Sequence, residues 1–250
     1  MDYSNIKFKT VESHTAGEPT RVVLSGFPEY KCGSMMQLKS YYEKNFDHYR
    51  SMLMEEPRGH KDMVGAIITR PIQSQADVGV IYFDATRWIN MCGHATIGVT
   101  TVLINEKLVE IHEPFTTITL DTPAGLVRVS AEVKNGIAQN VTFQNIPSYL
   151  CDDNLLVTLC NGKQVRCAVA YSGSFFALAD VHDLGLDIST SNIGCLIDIA
   201  KEIIAKLNGM TTFKHPTENI QGVENIEFYE ASSGSVGRNE SLIWQQGRDI

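Results

Sequence analysis

The chain has 250 residues, 43% of them hydrophobic and 20% charged, which is a globular composition and excludes a disordered tail. Its length allows one or two domains and a large buried core. With 21 Lys and Arg against 29 Asp and Glu, the net charge of -8 argues against a nucleic-acid or anionic-membrane binder, which needs a basic face.

In chain order, residues 6–12 and 20–25 read as strands around the polar, turn-forming stretch His14-Thr15-Ala16-Gly17-Glu18-Pro19. Leu38, Tyr42, Phe46, Tyr49 and Leu53 recur at helical spacing and mark an amphipathic helix over 35–55, stopped at Glu56-Pro57. Residues 65–69 and 78–83 read as strands. The small-residue stretch from Cys92 to Ile104 reads as a buried helix, although its Thr, Val and Ile content gives weak helical propensity. Residues 116–146 read as β, with a turn at Asp121–Gly125 and the strong hairpin signal Asn135-Gly136. A strand pair, 164–171 and 175–181, surrounds Gly173-Ser174. A second helix is expected over 191–207, capped by Ser189, Thr190 or Ser191 and closed by Asn208-Gly209. Residues 223–229 and 242–244 are further strand candidates.

The order of these pieces repeats. The first half runs strand, polar turn, strand, long helix, two strands, then Cys92. The second half runs strand, Gly-Ser turn, strand, long helix, two strands. This is a duplication in order of elements and not in residues. The halves divide into residues 1–147 and 148–250.

The N-terminus, Met1-Asp2-Tyr3-Ser4-Asn5, has no basic start followed by an apolar run, and no segment approaches the ~20 apolar residues of a membrane span. A cytoplasmic location is expected. The six cysteines (Cys32, Cys92, Cys151, Cys160, Cys167 and Cys195) are too sparse for a disulfide scaffold and lack zinc spacing, so no metal site is expected. The default for each is a reduced, small apolar residue.

Cys92 departs from that default. It lies in Trp88-Ile89-Asn90-Met91-Cys92-Gly93-His94-Ala95-Thr96-Ile97-Gly98, between a strand and a helix that starts at Gly93. A thiol there meets unpaired amides and the positive end of the helix dipole, and can titrate below the free value of ~8.5. The same amides suit a substrate carboxylate, and Gly93 lets it approach closely. Such a site fits nucleophilic attack on a carbonyl, or proton transfer at a carbon beside a carboxylate. For the nucleophile, a His base is needed. His94, two residues on, points elsewhere on a helix, and nothing in sequence brings His60 close. The polar stretches His14–Arg21 and Glu56–Met63 read by default as solvated loops. Within the second, Arg58 or Lys61 suit an anion partner, and His60 or Asp62 a structural hydrogen bond.

Taken together, Ser13–Val22 (SHTAGEPTRV), Glu56–Ile67 (EPRGHKDMVGAI), Met91–Gly98 (MCGHATIG), Thr122–Val127 (TPAGLV), Ala170–Ala177 (AYSGSFFA) and His215-Pro216 resemble the proline racemase family. That family includes proline racemases, 4-hydroxyproline epimerases and trans-3-hydroxyproline dehydratases. The resemblance implies a diaminopimelate-epimerase-like α/β fold, two pseudo-symmetric lobes of strands around a central helix with the active site in the cleft between them. It implies cofactor-independent chemistry, in which two acid/base residues face opposite sides of the α-carbon of proline or hydroxyproline. On the matching motif Cys92 is the first of these. Gly93 and His94 give backbone N–H groups to the substrate carboxylate. The family also suggests a homodimer.

Ser241–Ile250 resembles the strand that leads into the family's second half-site pattern, Asp-Arg-Ser-Pro-Cys-Gly-Thr-Gly-Thr, with Thr for Cys in the dehydratases. The pattern itself is not among these residues, and Asp249 reads as just upstream of it. An incomplete second lobe without its catalytic helix, and reduced or absent activity, are therefore expected. Substrate cues conflict: Val64 stands where a smaller residue accompanies hydroxyproline in the family, whereas Val223–Tyr229 looks more like the proline racemases. The alternatives are a trans-3-hydroxy-L-proline dehydratase and a non-catalytic imino-acid-binding homologue.

Overall fold

A computed structural model describes residues 6–230 and the backbone of 240–245. The chain divides into two compact units, residues 1–146 and 147–250. The fold is mixed α/β with two sheets, as the sequence implies.

Unit 1 holds β1 (Lys9–Thr15), β2 (Glu18–Ser25), α1 (Met35–Met54), β3 (Val64–Thr69), β4 (Val78–Asp84), β5 (Trp88–Ile89), α2 (Gly93–Asn105), β6 (Phe115–Thr122), β7 (Gly125–Lys134) and β8 (Ile137–Gln144). Its sheet runs β1-β2-β3-β4-β6-β7-β8, with β5 paired to β4. Helix α1 packs on β3, β4 and β6. Helix α2 touches β1, β2 and β3 near one edge of the sheet and β7 and β8 at the other, so the sheet curls around it. That explains how a stretch of poor propensity becomes a helix. Ala95, Val99, Val102, Leu103 and Ile104 are all at most 4% exposed, and burial of each large side chain contributes roughly 1.5–3 kcal/mol. Gly98 lets α2 lie against the first hairpin, because a Cβ there would come within 2.8 Å of Ser13 Oγ. Between α1 and the sheet lies an apolar core that includes Leu38, Tyr42, Met54, Ile81, Phe83 and Trp88.

The first hairpin differs from the expected loop. Strands β1 and β2 run through the polar residues to a two-residue turn at Ala16 and Gly17, whose φ values of 52° and 99° are both positive. Such turns match the twist of paired strands, so polarity here marks a hairpin tip and not an open loop.

Unit 2 holds β9 (Tyr149–Thr158), β10 (Gln164–Tyr171), β11 (Phe175–Asp180), the single-turn α3 (Val181–Leu184), α4 (Ile193–Met210), β12 (Val223–Glu230) and β13 (Glu240–Gln245), in the sheet order β13-β12-β11-β10-β9. Helix α4 buries Leu196, Ala200, Ile203, Ile204 and Leu207. It overruns the expected stop at Asn208-Gly209. Asn208 spends its side-chain amide on strand β12, donating to Val223 O and accepting from Val223 N, both at 2.8 Å, and the helix continues to a cap at Thr211. Its N-cap is Asn192 and none of the three expected hydroxyl residues.

The duplication in element order is present in the pairing. β1–β2 and β10–β11 are antiparallel, β2–β3 and β11–β12 parallel, and β3–β4 and β12–β13 antiparallel. In each set a long helix crosses over between the parallel strands. Among the described residues, no helix is long and apolar enough to cross a membrane.

Candidate active site

Strand β5 pairs with β4 through Ile89 and Trp88, and α2 begins at Gly93. Cys92 is the N-cap of α2, with extended backbone (φ -139°, ψ 121°). The strand-to-helix corner expected beneath the thiol is therefore present. The helical ladder starts when Thr96 N donates to Cys92 O at 3.0 Å, which leaves the amides of Gly93, His94 and Ala95 ahead of the first rung. Thr96 also donates its hydroxyl to the Cys92 carbonyl at 2.8 Å, and the Thr96 and Tyr82 hydroxyls are 2.7 Å apart. Burial pushes the Tyr82 phenol well above its ordinary range, so it stays neutral. The cap carbonyl is thus fixed from inside the core.

Cys92 is 8% exposed. Its Sγ lies 3.4 Å from His94 Nδ1. This corrects the expectation that His94 points elsewhere. Helical angular spacing does not apply across an N-cap, because the cap residue is extended, and a side chain in the first turn can fold back over the cap. His94 Nε2 in turn lies 4.0 Å from Glu18 Oε1, at the tip of the β1–β2 hairpin. Thr15 of the same tip donates its hydroxyl to His94 O at 2.9 Å. The hairpin therefore holds His94 by both backbone and side chain, and the row Glu18–His94–Cys92 brings together a hairpin tip and a helix start far apart in sequence. The pattern Cys-Gly-His at cap, first and second helical positions was the signal available for it. Glu18 gave none, since nothing local to the hairpin tip points to α2.

Gly93 stands beside Phe143 of β8, whose ring lies 3.4 Å from where a Cβ would be. The other candidates do different work. His60 accepts from Asp62 N at 3.2 Å and shapes its own turn. Arg58 donates to the Met52 carbonyl at the end of α1. Val64 is wholly buried in β3. Asp249 lies outside the described residues. Among the described residues, no group of three or more His, Cys, Asp or Glu side chains is placed to hold a metal ion.

Chemically, an N-cap thiol with an imidazole at hydrogen-bond range and helix amides alongside can hold a thiolate, shuttle a proton, or attack a carbonyl. The sequence profile described as proline racemase matches residues 10–249. The chain belongs to the proline racemase family. The proline racemase of Clostridioides difficile is 39% identical over 242 residues, spanning 96% of this chain and 72% of that one. The 4-hydroxyproline 2-epimerase of Streptosporangium roseum is 37% identical over 233 residues, spanning 93% and 69%. Among solved structures, a hydroxyproline epimerase from Agrobacterium vitis with bound trans-4-OH-L-proline matches with a TM-score of 0.90 at 25% identity, over 97% of this chain and 71% of that one. The diaminopimelate-epimerase-like α/β class implied by the motifs is the class the structure carries.

Proposed function

We propose that this proline racemase family member is a cofactor-independent racemase or epimerase acting at the α-carbon of proline or hydroxyproline, with Cys92 as one acid/base. The observation that carries the reading is the Cys92 thiol at the N-cap of α2, 3.4 Å from His94 Nδ1. Named relatives of this class act on these same imino acids, which supports the substrate class.

In this reading, the amides of Gly93 and His94 receive the substrate carboxylate at the positive end of α2. That seats the α-carbon by the thiol. Cys92 as thiolate takes the α-proton, or as thiol returns one. Amides aimed at the carboxylate also stabilise the negative charge that develops on it as the proton leaves. His94 accepts or donates at Sγ, and Glu18 orients the imidazole from its far side.

The test is α-proton exchange in heavy water, followed by mass spectrometry, with L-proline, trans-4-hydroxy-L-proline and trans-3-hydroxy-L-proline. Deuterium enters the α-position and the signal disappears in Cys92→Ser. Binding without exchange would contradict catalysis and favour an imino-acid-binding homologue. Loss of water from the 3-hydroxy substrate would move the chain to the dehydratase branch. The row Glu18–His94–Cys92 also favours a second reading, a thiol nucleophile with a His partner. It predicts a covalent acyl adduct trapped on Cys92, which proton transfer does not form.

A further inference from the structure

Residues 85–91 deliver the chain to Cys92, and only Trp88 and Ile89 of them are in regular structure. Helix α1 grips this segment at three places. Arg50, 6% exposed, donates from Nη1 to the carbonyls of Asp84, at 3.4 Å, and of Ala85. Asp47 accepts from Trp88 Nε1 at 2.8 Å. Lys39 donates to Asn90 Oδ1 at 2.8 Å, two residues ahead of the thiol. The first two grips form one unit, because Arg50 also holds Asp47 by a two-point fork, Nε to Oδ1 at 2.7 Å and Nη2 to Oδ2 at 3.0 Å. Helix α1 breaks its regular geometry at Phe46, directly ahead of this pair (φ -132°, ψ 22°).

We infer that Arg50, with its paired Asp47, is a positioning residue for the Cys92 thiol, an inference that rests on the reading of Cys92 as an acid/base. The carbonyl side of Cys92 is fixed by Thr96 and α2, independently of α1. The amide side is fixed by residues 84–90. The backbone at Cys92 joins the two, so the corner that carries Sγ beside His94 is held from both sides. A planar guanidinium can fork a carboxylate and still reach two carbonyls, and the charge on its partner strengthens both sets of bonds. A lysine ammonium cannot span all of these acceptors. Loss of Arg50 removes its bonds to the Asp84 and Ala85 carbonyls and its hold on Asp47, while β4–β5 pairing, Lys39–Asn90 and α2 stay in place, so the segment shifts without unfolding; a displacement of about 1 Å at a reacting group can cost about a hundredfold in rate.

The experiment is the rate of Cys92 alkylation by iodoacetamide in the full chain as a function of pH. It is read residue by residue by peptide mass spectrometry, with the exposed Cys151, Cys160 and Cys195 as internal references and circular dichroism as a check of folding. In Arg50→Gln, Cys92 alkylation at pH 7 falls about three- to tenfold, well inside the hundredfold bound, and its pH midpoint moves, while the references keep their rates. Arg50→Lys recovers part of the loss. Trp88→Phe, which removes the indole donor together with part of a buried ring, gives a smaller change in the same direction. An unchanged Cys92 profile in folded Arg50→Gln overturns the inference, as does a parallel change at all four cysteines. Should Arg50→Gln fail to fold, an unchanged profile in Arg50→Lys overturns it equally. Failure of the catalytic reading shows differently: wild-type alkylation that the planar proline analogue pyrrole-2-carboxylate does not slow, with the difference between variant and wild type intact.

Discussion

Two buried thiols in this chain meet opposite surroundings. Cys92 sits among helix amides and an imidazole. Cys167 is fully buried in β10, where burial first and Asp183 second push its thiol up to about 12. A folded-state value above the unfolded one means that the folded chain keeps a proton the unfolded chain releases. The resulting stability is complete below about pH 9 and is lost as pH rises toward 12. At 1.36 kcal/mol per unit the loss is at most on the order of 4 kcal/mol. Tyr42 and Tyr171, both pushed up to about 12 by burial, add to it above pH 10. Urea unfolding at pH 7, 9 and 10.5 checks this. The midpoint of wild type falls between the last two, and Cys167→Ala, though weaker at pH 7, falls less. Parallel decline in both proteins would contradict it. The surroundings of Cys167 are not written in its sequence neighbours. Cys92 was legible because a strand and a helix start flank it in sequence, while Cys167 looked like any strand residue. His94 was misjudged because a helix rule was applied one residue too early.

Helix α2 carries the proposed site, and its N-terminus is tied to the core by two hydroxyls. Thr96→Val removes the bond to the Cys92 carbonyl and leaves the buried Tyr82 hydroxyl without that partner. The cost is about 1–3 kcal/mol. In the double variant Tyr82→Phe/Thr96→Val no hydroxyl is stranded, so the double variant is no less stable than Thr96→Val alone. Chemical denaturation of the four proteins measures the coupling, and simple additivity would contradict it. At this scale the Asn135-Gly136 hairpin was fully legible, since both residues carry positive φ (55° and 73°) and join Lys134 to Ile137. Strand β9 was not. Its sequence, Tyr149–Thr158, carries Asp152-Asp153-Asn154, poor strand formers, and it exists because β10 pairs with it along nearly its whole length. The end of α4 was misplaced because the side chain of Asn208 is claimed by a strand distant in sequence.

Over the whole chain, the repeated order of elements becomes a repeated pairing pattern. That much could be read from the alternation of strand and helix signals. The curling of the first sheet about α2 could not, because it depends on which strands close on the helix and no local signal encodes it. Burial is uneven as a result. Every residue of β4 is buried, whereas β9, at a sheet edge, exposes Tyr149, Leu150 and Leu156. Amide hydrogen exchange should therefore be slowest in β3 and β4 and fastest, among the strands, in β9. Uniform protection would contradict this. Replacing Leu150 and Leu156 with lysine should reduce aggregation at high concentration, seen by light scattering, because a charged edge resists strand addition.

The account turns on whether helix α2 both ionises the Cys92 sulfur and receives a carboxylate beside it. Site-resolved alkylation of the wild-type chain by iodoacetamide near pH 7, with and without pyrrole-2-carboxylate, tests both at once. The account predicts that Cys92 reacts first although it is the more buried thiol, ahead of Cys32, Cys151 and Cys160, whose thiols are all raised, and that the analogue slows Cys92 alone. Equal labelling of Cys92, Cys151 and Cys195, unaffected by the analogue, would contradict it.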